Sequence, residues 1–473
     1  MALDTGSLFP TIAGDERPPA VVVAVQLPGV SDDELASSIA ELERLATTLG
    51  LDLVGRVTQR RGKLAPGVVL GQGKLEELGM WTGGTGVVAG YEKPGRKKPD
   101  DAEDDDSDDG PDGDDPPAEV VATAKAKVVL VDHDLTPTQQ LNLERATGVD
   151  VLDRTSVILE IFHRHANTRE ARLQVEVARL KYLAPRLRAS SGGGDRVRGG
   201  IGGKGAGESS IELDRRRIRD RIAELRHELS QIEGGSKTRR ERRSELPTVA
   251  LVGYTNAGKS SLMRALTSTD VYVADKLFAT LDTTVRRLAA PPGDKSAKHP
   301  PILVTDTVGF IKKLPHDLVA SFRSTLEEAA GADLLLHVVD AADAALADHI
   351  AVTLEVLGEI VDDEMPIWLL LNKIDRVDDA GRAVLAERYP QALQLSAKQP
   401  ADIAALRERL IAQFVGPIEE AELVVPWVAQ RLVHQIHERT AVIGEDHDDH
   451  GTRLRVRAPA SVLHDLRTSI AKE

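Results

Sequence analysis

The sequence predicts a multi-domain α/β chain centred on a parallel sheet with helices on both faces, and three observations predict it. Between Thr248 and about Val415, short apolar runs alternate with helical patterns, as strands paired through helical crossovers do. One strand-to-helix junction there carries a glycine-rich turn, Gly253–Ser260. Upstream, two long stretches repeat apolar residues at helical spacing, the pattern of helices packed side by side. A length of 473 residues allows three or four units at ~100–200 residues each.

In chain order, residues 1–19 hold several Pro and Gly without periodicity and read as a flexible tail. Residues 20–153 read as an N-terminal α/β domain. Its strands are expected at Ala20–Gln26, Leu51–Val57, Thr85–Ala89, Lys127–Asp132 and Val149–Asp153. A helix capped by Asp32 or Asp33 should run to about Leu49, because Leu35, Ile39, Leu42, Leu45 and Leu49 recur at helical spacing. Residues 90–126 break into this domain, and Asp100–Glu119 carries 12 acids and no base. Such a tract cannot bury apolar surface and is expected to be a disordered spacer.

Residues 154–246 read as a helical hairpin with its linker. Leu173, Val177, Leu180, Ala184 and Leu187 form one seam; Ile211, Ile218, Ile222, Leu225, Leu229 and Ile232 form the other. Between them Gly192–Gly207 holds nine Gly in sixteen residues, which makes a loop at the hairpin tip. Gly234–Pro247 reads as the link to residues 247–417, whose strands are expected at Thr248–Gly253, Ile302–Asp306, Leu334–Asp340, Ile367–Asn372 and Ala392–Ser396. After the Gly416–Pro417 break, residues 418–473 read as a small C-terminal αβ domain.

Composition excludes several classes. The absence of Cys rules out disulfides, zinc–thiolate sites and a thiol nucleophile, and suits a reducing compartment. No apolar stretch reaches the ~18 residues of a membrane span, and the N-terminus lacks a signal pattern; the expectation is a cytoplasmic monomer. The net charge of −15 hides a basic middle, since Arg154–Arg243 carries 22 Lys+Arg against 12 Asp+Glu, a balance of +10. That segment suits a polyanion. Arg186, Arg188, Arg196, Arg198 and Lys204 at the hairpin tip are the candidate RNA contacts, against the alternative of a solvated face.

The chemistry gathers at strand ends. Gly253, Tyr254, Thr255, Asn256, Ala257, Gly258, Lys259 and Ser260 form a phosphate-binding loop between a strand and a helix. Backbone N–H groups can surround phosphates, Lys259 can reach their outer oxygens, and the Ser260 hydroxyl can ligate Mg²⁺. Asp306, Thr307, Val308 and Gly309 end the next strand, where an acid can hold the Mg²⁺ shell and a Gly N–H can meet the terminal phosphate. Asn372, Lys373, Ile374 and Asp375 end a later one. An Asp there can accept from both donors of a guanine ring, a pair that adenine lacks. Ser396, Ala397 and Lys398 end the last strand, where N–H groups can meet the guanine oxygen. Four such elements in this order imply a guanine-nucleotide domain.

Between the loop and Asp306 lies Phe278, Ala279, Thr280, Leu281, Asp282. A Thr in this interval normally closes over the terminal phosphate and ligates Mg²⁺; Thr280 is the choice, with Thr283 and Thr284 competing. Lys259, Thr280 and Gly309 are the expected catalytic positioning groups. Phe310 stands where many small GTPases carry a water-orienting Gln, so hydrolysis is expected to be slow alone and faster with a partner. Asn256 is open to a K⁺ role or to a loop-closing hydrogen bond alone. Gly71–Lys74 reads as a turn into a helix rather than a second nucleotide site, and Asp446–His450 as a hairpin turn rather than a metal site.

The chain resembles the HflX family of ribosome-associated GTPases. The resemblance rests on Gly253–Leu262, Leu277–Arg287 and Asp306–Ala342, and upstream on Thr136–Thr155, Thr168–Leu187 and Ile211–Leu225. It implies a phosphate-loop GTPase flanked by an N-terminal domain, a helical hairpin and a C-terminal domain. It also implies binding of the large ribosomal subunit and its rRNA in the GTP form, with separation of stalled or idle ribosomes. By resemblance, Mg²⁺ falls on Ser260 and Thr280. The chain departs from the family at Gly205–Ser209, where Ala replaces a usual Pro and Ser a usual Thr, and at Thr283, where Pro is common. A ribosome-assembly GTPase and a nucleotide-switched binding module without turnover are the rival readings.

Overall fold

The computed structural model describes residues 17–64, 67–88, 125–187, 210–243, 246–267, 278, 284–289, 301–312, 329–361, 364–416, 418–448 and 451–471. The chain divides into two compact units. The first is Met1–Ile232 with Lys276–Phe278 and Lys312–Phe322, and the second is Glu233–Asp275, Ala279–Ile311 and Arg323–Glu473. The acidic tract, the glycine-rich hairpin tip and the 1–16 tail lie outside the described residues.

In the first unit, β1 (Pro19–Gln26), β2 (Asp52–Arg60), β3 (Val128–Val131) and β4 (Asp150–Asp153) form a parallel sheet in the order β2-β1-β3-β4. The valine-rich β1 is buried along nearly its whole length, as a central parallel strand covered on both faces should be. Val21, Val23, Val129, Val131, Leu75, Leu78 and Leu143 build one core on this sheet. Helix α1 (Asp32–Leu49) starts one or two residues earlier than a cap at Asp32 or Asp33 would give. Its cap is Ser31, in a capping box with Glu34, so Asp32 and Asp33 instead supply negative charge to the first turn. Helices α2 (Gln72–Thr82), α3 (Pro137–Thr147) and α4 (Arg154–His165) complete the layer.

The strand expected at Thr85–Ala89 is absent among the described residues, which turn instead. Gly86 sits at φ +65° with its N–H on the Ala146 carbonyl at 2.9 Å, and a Cβ there would lie 2.7 Å from Glu76 Cα. Close approach to α2 fixes a left-handed turn that a strand cannot supply.

Helices α5 (Arg169–Leu183) and α6 (Ser210–Arg243) pack through Val177, Leu180, Ile218 and Leu225, joined by Leu173, Ala184, Leu187 and Ile222. Arg169 pairs with Glu228 at one end, so the two run antiparallel. Helix α6 continues through Gly234 and Gly235 to Arg243, where the sequence suggested a linker. Each Gly costs about 1 kcal/mol in a helix, but extending an existing helix adds one bond per residue fixed.

In the second unit, β5 (Thr248–Val252), β6 (Thr284–Arg287), β7 (Leu303–Asp306), β8 (Leu334–Asp340), β9 (Ile367–Asn372) and β10 (Leu393–Gln394) form a sheet in the order β10-β9-β8-β5-β7-β6. All pairs are parallel except β6 with β7, an antiparallel edge that the sequence did not announce. Helices α7 (Lys259–Thr267), α8 (Leu346–Gly358), α9 (Asp379–Arg388) and α10 (Pro400–Val415) accompany it. One core joins Val249, Leu251, Leu262, Leu266, Val304, Leu336, Leu406 and Leu410, and a second joins Val339, Leu346, Leu371 and Ile374. The chain ends in an antiparallel sheet, β11 (Ile418–Pro426), β12 (Ala441–Asp448) and β13 (Gly451–Pro459), with α11 (Arg431–Arg439) and α12 (Ala460–Ala471). Buried and exposed residues alternate along β13, so one face meets the helices and the other carries Arg453, Arg455 and Arg457. No described helix is long and apolar enough to cross a membrane.

Candidate functional site

The site assembles at the carboxyl ends of β5, β7, β8, β9 and β10, where ligands bind in open α/β sheets. Gly253 leaves β5 at φ +142°, and a Cβ there would lie 2.1 Å from the Val338 carbonyl oxygen. Gly258 sits at φ +97°, and its Cβ would meet Asn372 Nδ2 at 2.3 Å. Only glycine allows the loop to pass this close to its neighbours. Helix α7 then begins at Lys259, so free N–H groups and the positive end of the helix dipole face the loop.

Lys259 is buried, and its Nζ donates to the carbonyls of Gly253 and Tyr254, both at 2.9 Å. Burial pulls its ammonium down to about 8, against the opposing pull of the Asp306 carboxylate. The Ser260 hydroxyl donates to Asp306 Oδ2 at 2.8 Å. Hydroxyl and carboxylate oxygens are the hard donors that Mg²⁺ prefers, so this pair fits the ion that GTPases of this kind use. Thr307 donates its hydroxyl to the Leu251 carbonyl at 2.7 Å and fixes the strand end. The segment after it is laced to the loop: Phe310 N–H meets the Gly253 carbonyl at 3.1 Å, and Thr255 N–H meets the Phe310 carbonyl at 2.8 Å. A Cβ on Gly309 would lie 3.0 Å from Lys259 Nζ and 2.9 Å from Thr255 Cα.

A cavity of about 250 Å³ opens beside the loop, lined by Asn256, Gly258, Asn372, Lys373, Asp375 and Ala397 among others. Asn372 bridges two elements, with Nδ2 donating to the Ala257 carbonyl at 2.8 Å and Oδ1 accepting from Ala397 N–H at 3.0 Å. Lys373 adopts φ +61° and donates to the Asn256 carbonyl at 2.7 Å and to Asp340 at 2.8 Å. Asp375 accepts from the Ser396 hydroxyl at 2.6 Å, which holds its carboxyl below the usual range. The carboxylate is thereby charged and aimed, as recognition of two guanine donors requires.

Several supporting residues were not singled out in the sequence. Asp340 at the end of β8 anchors Lys373, and Asp402 in the first turn of α10 accepts from Ser396 N–H at 2.7 Å. The Tyr254 ring stacks on His349, 3.8 Å away and 14° from parallel. A strand-terminal acid after Val339 and an acid six residues beyond Ser396 were the available signals; the Tyr254–His349 stack joins residues far apart in the chain.

Two predicted residues belong to the first unit. The Phe278 ring lies edge-on to Phe162 at 4.6 Å. Arg186, read from the sequence as a tip contact, is instead engaged just past the end of α5 by residues around β4 and α3. It donates to Gln140 (3.0 Å), Asp153 (3.2 Å) and the carbonyls of Leu135 (2.6 Å) and Tyr182 (3.0 Å), and its guanidinium lies 3.5 Å over the Tyr182 ring. Ala279, Thr280, Leu281, Asp282, Arg188, Arg196, Arg198 and Lys204 lie outside the described residues. Gly71 caps α2 at the start of Gly71–Lys74, a turn into a helix. Asp446–Asp448 end β12 before the turn to β13, and no metal-binding group of three His, Asp or Glu occurs among the described residues.

A glycine-bounded phosphate loop, an Asp–Gly strand end and an Asn–Lys–x–Asp strand end on one parallel sheet define a phosphate-loop GTPase. Residues 248–373 match the family described as 50S ribosome-binding GTPase, residues 165–243 the GTP-binding GTPase middle region, and residues 36–88 and 117–163 the GTP-binding GTPase N-terminal region. The chain belongs to the HflX family of GTPases: it is 53% identical to GTPase HflX of Gluconacetobacter diazotrophicus over 97% of this chain and 99% of that one. It is also 37% identical to GTPase HflX of Caldanaerobacter subterraneus (95% and 93% covered) and 42% identical to that of Escherichia coli (72% and 80%). Among solved structures, a GTP-binding protein from Sulfolobus solfataricus in complex with GDP aligns with a TM-score of 0.41 at 22% identity, over 83% of this chain and 99% of that one. The protein hydrolyses GTP.

Proposed function

We propose that the protein binds the large ribosomal subunit through its rRNA in the GTP form and separates ribosomal subunits, with hydrolysis permitting release. The observation that carries this is the match of residues 248–373 to the 50S ribosome-binding GTPase family, supported by matches to the N-terminal and middle regions of the same GTPases. A monomer working in the cytoplasm, where ribosomes are, is the matching state. Within the site, Gly253–Ser260 and Asp306–Gly309 take the phosphates, and Asn372–Asp375 with Ser396–Lys398 take the guanine. Phe278–Asp282 supplies further GTP contacts, with Lys259, Thr280 and Gly309 positioning the terminal phosphate. Ser260 and Thr280 would hold Mg²⁺, which supplies positive charge to the phosphate oxygens. Asn256 is the residue open to K⁺.

Phe310 supports partner-dependent turnover. Its ring neither donates nor accepts, it is buried, and its backbone is bonded on both sides. Hydrolysis by the isolated protein is therefore slow, and large subunits accelerate it. The test is to add the protein to intact ribosomes with GTP, a non-hydrolysable analogue or GDP and to separate particles on a density gradient. Free subunits are expected with both triphosphates and not with GDP. Binding without separation would favour the ribosome-assembly reading, and separation without turnover would favour the binding-module reading.

A further inference from the structure

We propose that Thr255 positions the attacking water for GTP hydrolysis, in place of the side chain that Phe310 cannot supply. The inference concerns the hydrolytic step and does not rest on ribosome separation. Thr255 is more than nine-tenths buried, and its Oγ1 has no hydrogen-bond partner among the described residues. Buried hydroxyls are almost always satisfied, because leaving one unpaired forfeits its bonds to water. An exception this close to a nucleotide site points to a partner that arrives with the substrate.

The location narrows the partner. A Cβ built on Gly309 would lie 2.8 Å from Thr255 Cγ2 and 3.0 Å from Lys259 Nζ. The Thr255 side chain, the Lys259 ammonium and the Gly309 backbone thus converge on one small volume. Lys259 and the Gly309 N–H are the groups that meet a terminal phosphate in a phosphate-loop enzyme, so the Thr255 side chain lies beside that phosphate, its methyl nearest Gly309 and its hydroxyl on the same carbon. The residue is also held in place. Thr255 N–H is bonded to the Phe310 carbonyl, and the preceding Tyr254 ring is stacked on buried His349. Positioned groups contribute most when they need no rearrangement at the moment of reaction.

A hydroxyl both accepts and donates. Oγ1 accepts a hydrogen bond from the water, which turns a water lone pair toward phosphorus, and its own O–H donates a hydrogen bond to a phosphate oxygen. The water oxygen bonds to the γ-phosphorus while the bond to the β–γ bridging oxygen breaks, and that electron pair leaves on GDP. One water proton remains on the released phosphate and the other passes to solvent; Thr255 ends with the proton it began with.

The experiment compares the full-length protein with Thr255→Val, which keeps the shape and removes the hydroxyl, and with Thr255→Ser, which keeps the hydroxyl. Single-turnover GTP hydrolysis, affinity for fluorescent GDP, and the gain in GDP retention on adding aluminium fluoride are read for each. Thr255→Val is expected to lose about tenfold or more in rate, to keep GDP affinity within about twofold, and to lose the aluminium fluoride effect. Thr255→Ser should retain most of the rate and that effect. Wild-type hydrolysis by Thr255→Val would overturn the proposal. So would a loss of GDP affinity as large as its loss of rate, or a Thr255→Ser variant as impaired as Thr255→Val.

Discussion

In the guanine pocket proposed here, Asp375 is prepared by Ser396, whose hydroxyl bond at 2.6 Å keeps the carboxyl ionised. Asp375→Asn removes one of two charge-assisted acceptors and presents an N–H₂ to a guanine donor. GTP affinity, read by competition with a fluorescent nucleotide, is expected to fall by about 1.5–3 kcal/mol; unchanged affinity would dissolve the assignment. At the phosphate end, the proton on Lys259 matters. With a value of about 8 before nucleotide arrives, its ammonium is intact below that pH and is lost as pH rises through it. A bound polyphosphate favours the charged form, so binding takes up a proton on the alkaline side. GDP affinity should stay level near pH 7 and decline by up to about tenfold per pH unit above about 8. Neighbouring His337 does not complicate this range, because burial, with Lys259 beside it, lowers its imidazole to about 4 and leaves it neutral. A flat profile between about pH 7 and 9 would show that Lys259 keeps its proton in the free pocket. The contiguous motifs of this site were readable as sequence because each spans only a few residues at a strand end. Asp340 and Asp402 were not, since their roles exist only where separate strand and helix ends converge.

At the scale of elements, periodicity found the helices and the central strands, because a buried parallel strand and an amphipathic helix write opposite spacings. It missed β6, a four-residue edge whose Thr284-Val-Arg-Arg287 has only one apolar residue to register. It also could not see that the last turn of the α5 arm is fastened to the sheet. Asp153 is fully buried at the end of β4 and accepts from Ser156 N–H, Leu135 N–H, the Tyr182 hydroxyl and Arg186. Burial pushes its carboxyl up, which these bonds and the Arg186 charge oppose. Counting charges along the chain made Arg186 part of the hairpin tip; its partner lies 33 residues upstream. Arg186→Ala leaves that buried carboxylate without its cation, and removing one partner of a buried pair typically costs about 3–5 kcal/mol. Since Arg186 keeps partial exposure and Asp153 keeps three other donors, a loss near the lower end, about 3 kcal/mol, is expected in chemical unfolding. Adding Asp153→Asn should recover part of it. An unaltered unfolding midpoint in Arg186→Ala would mean that the carboxylate is satisfied without the guanidinium.

Over the whole molecule, charge is distributed so that the total misleads: the chain carries −15, yet residues 154–243 carry +10. Helix α6 displays this on its described surface, where Arg215, Arg219 and Arg226 fall at spacings of 4 and 7 and are exposed. With Arg186 committed to Asp153, the tip charges that remain for rRNA in the proposed function are Arg188, Arg196, Arg198 and Lys204. Arginine suits this role because its planar head can pair with phosphate and stack on bases, and the surrounding glycines permit close backbone approach to folded RNA. Replacing these four by Ala, with Arg186 kept, separates recognition from the hairpin's anchor. Ribosome binding is expected to weaken, and the slope of log affinity against log salt to flatten by up to about 0.7 per lost phosphate contact. GTP hydrolysis by the protein alone should be unchanged, since the four replaced residues lie outside the phosphate loop and its strand-end motifs. Arg186→Ala should behave differently, losing stability first and ribosome binding only as a consequence of it. If the fourfold variant binds ribosomes with an unaltered salt slope, the tip is a solvated surface, and the basic face of α6 becomes the place to look for the phosphate contacts.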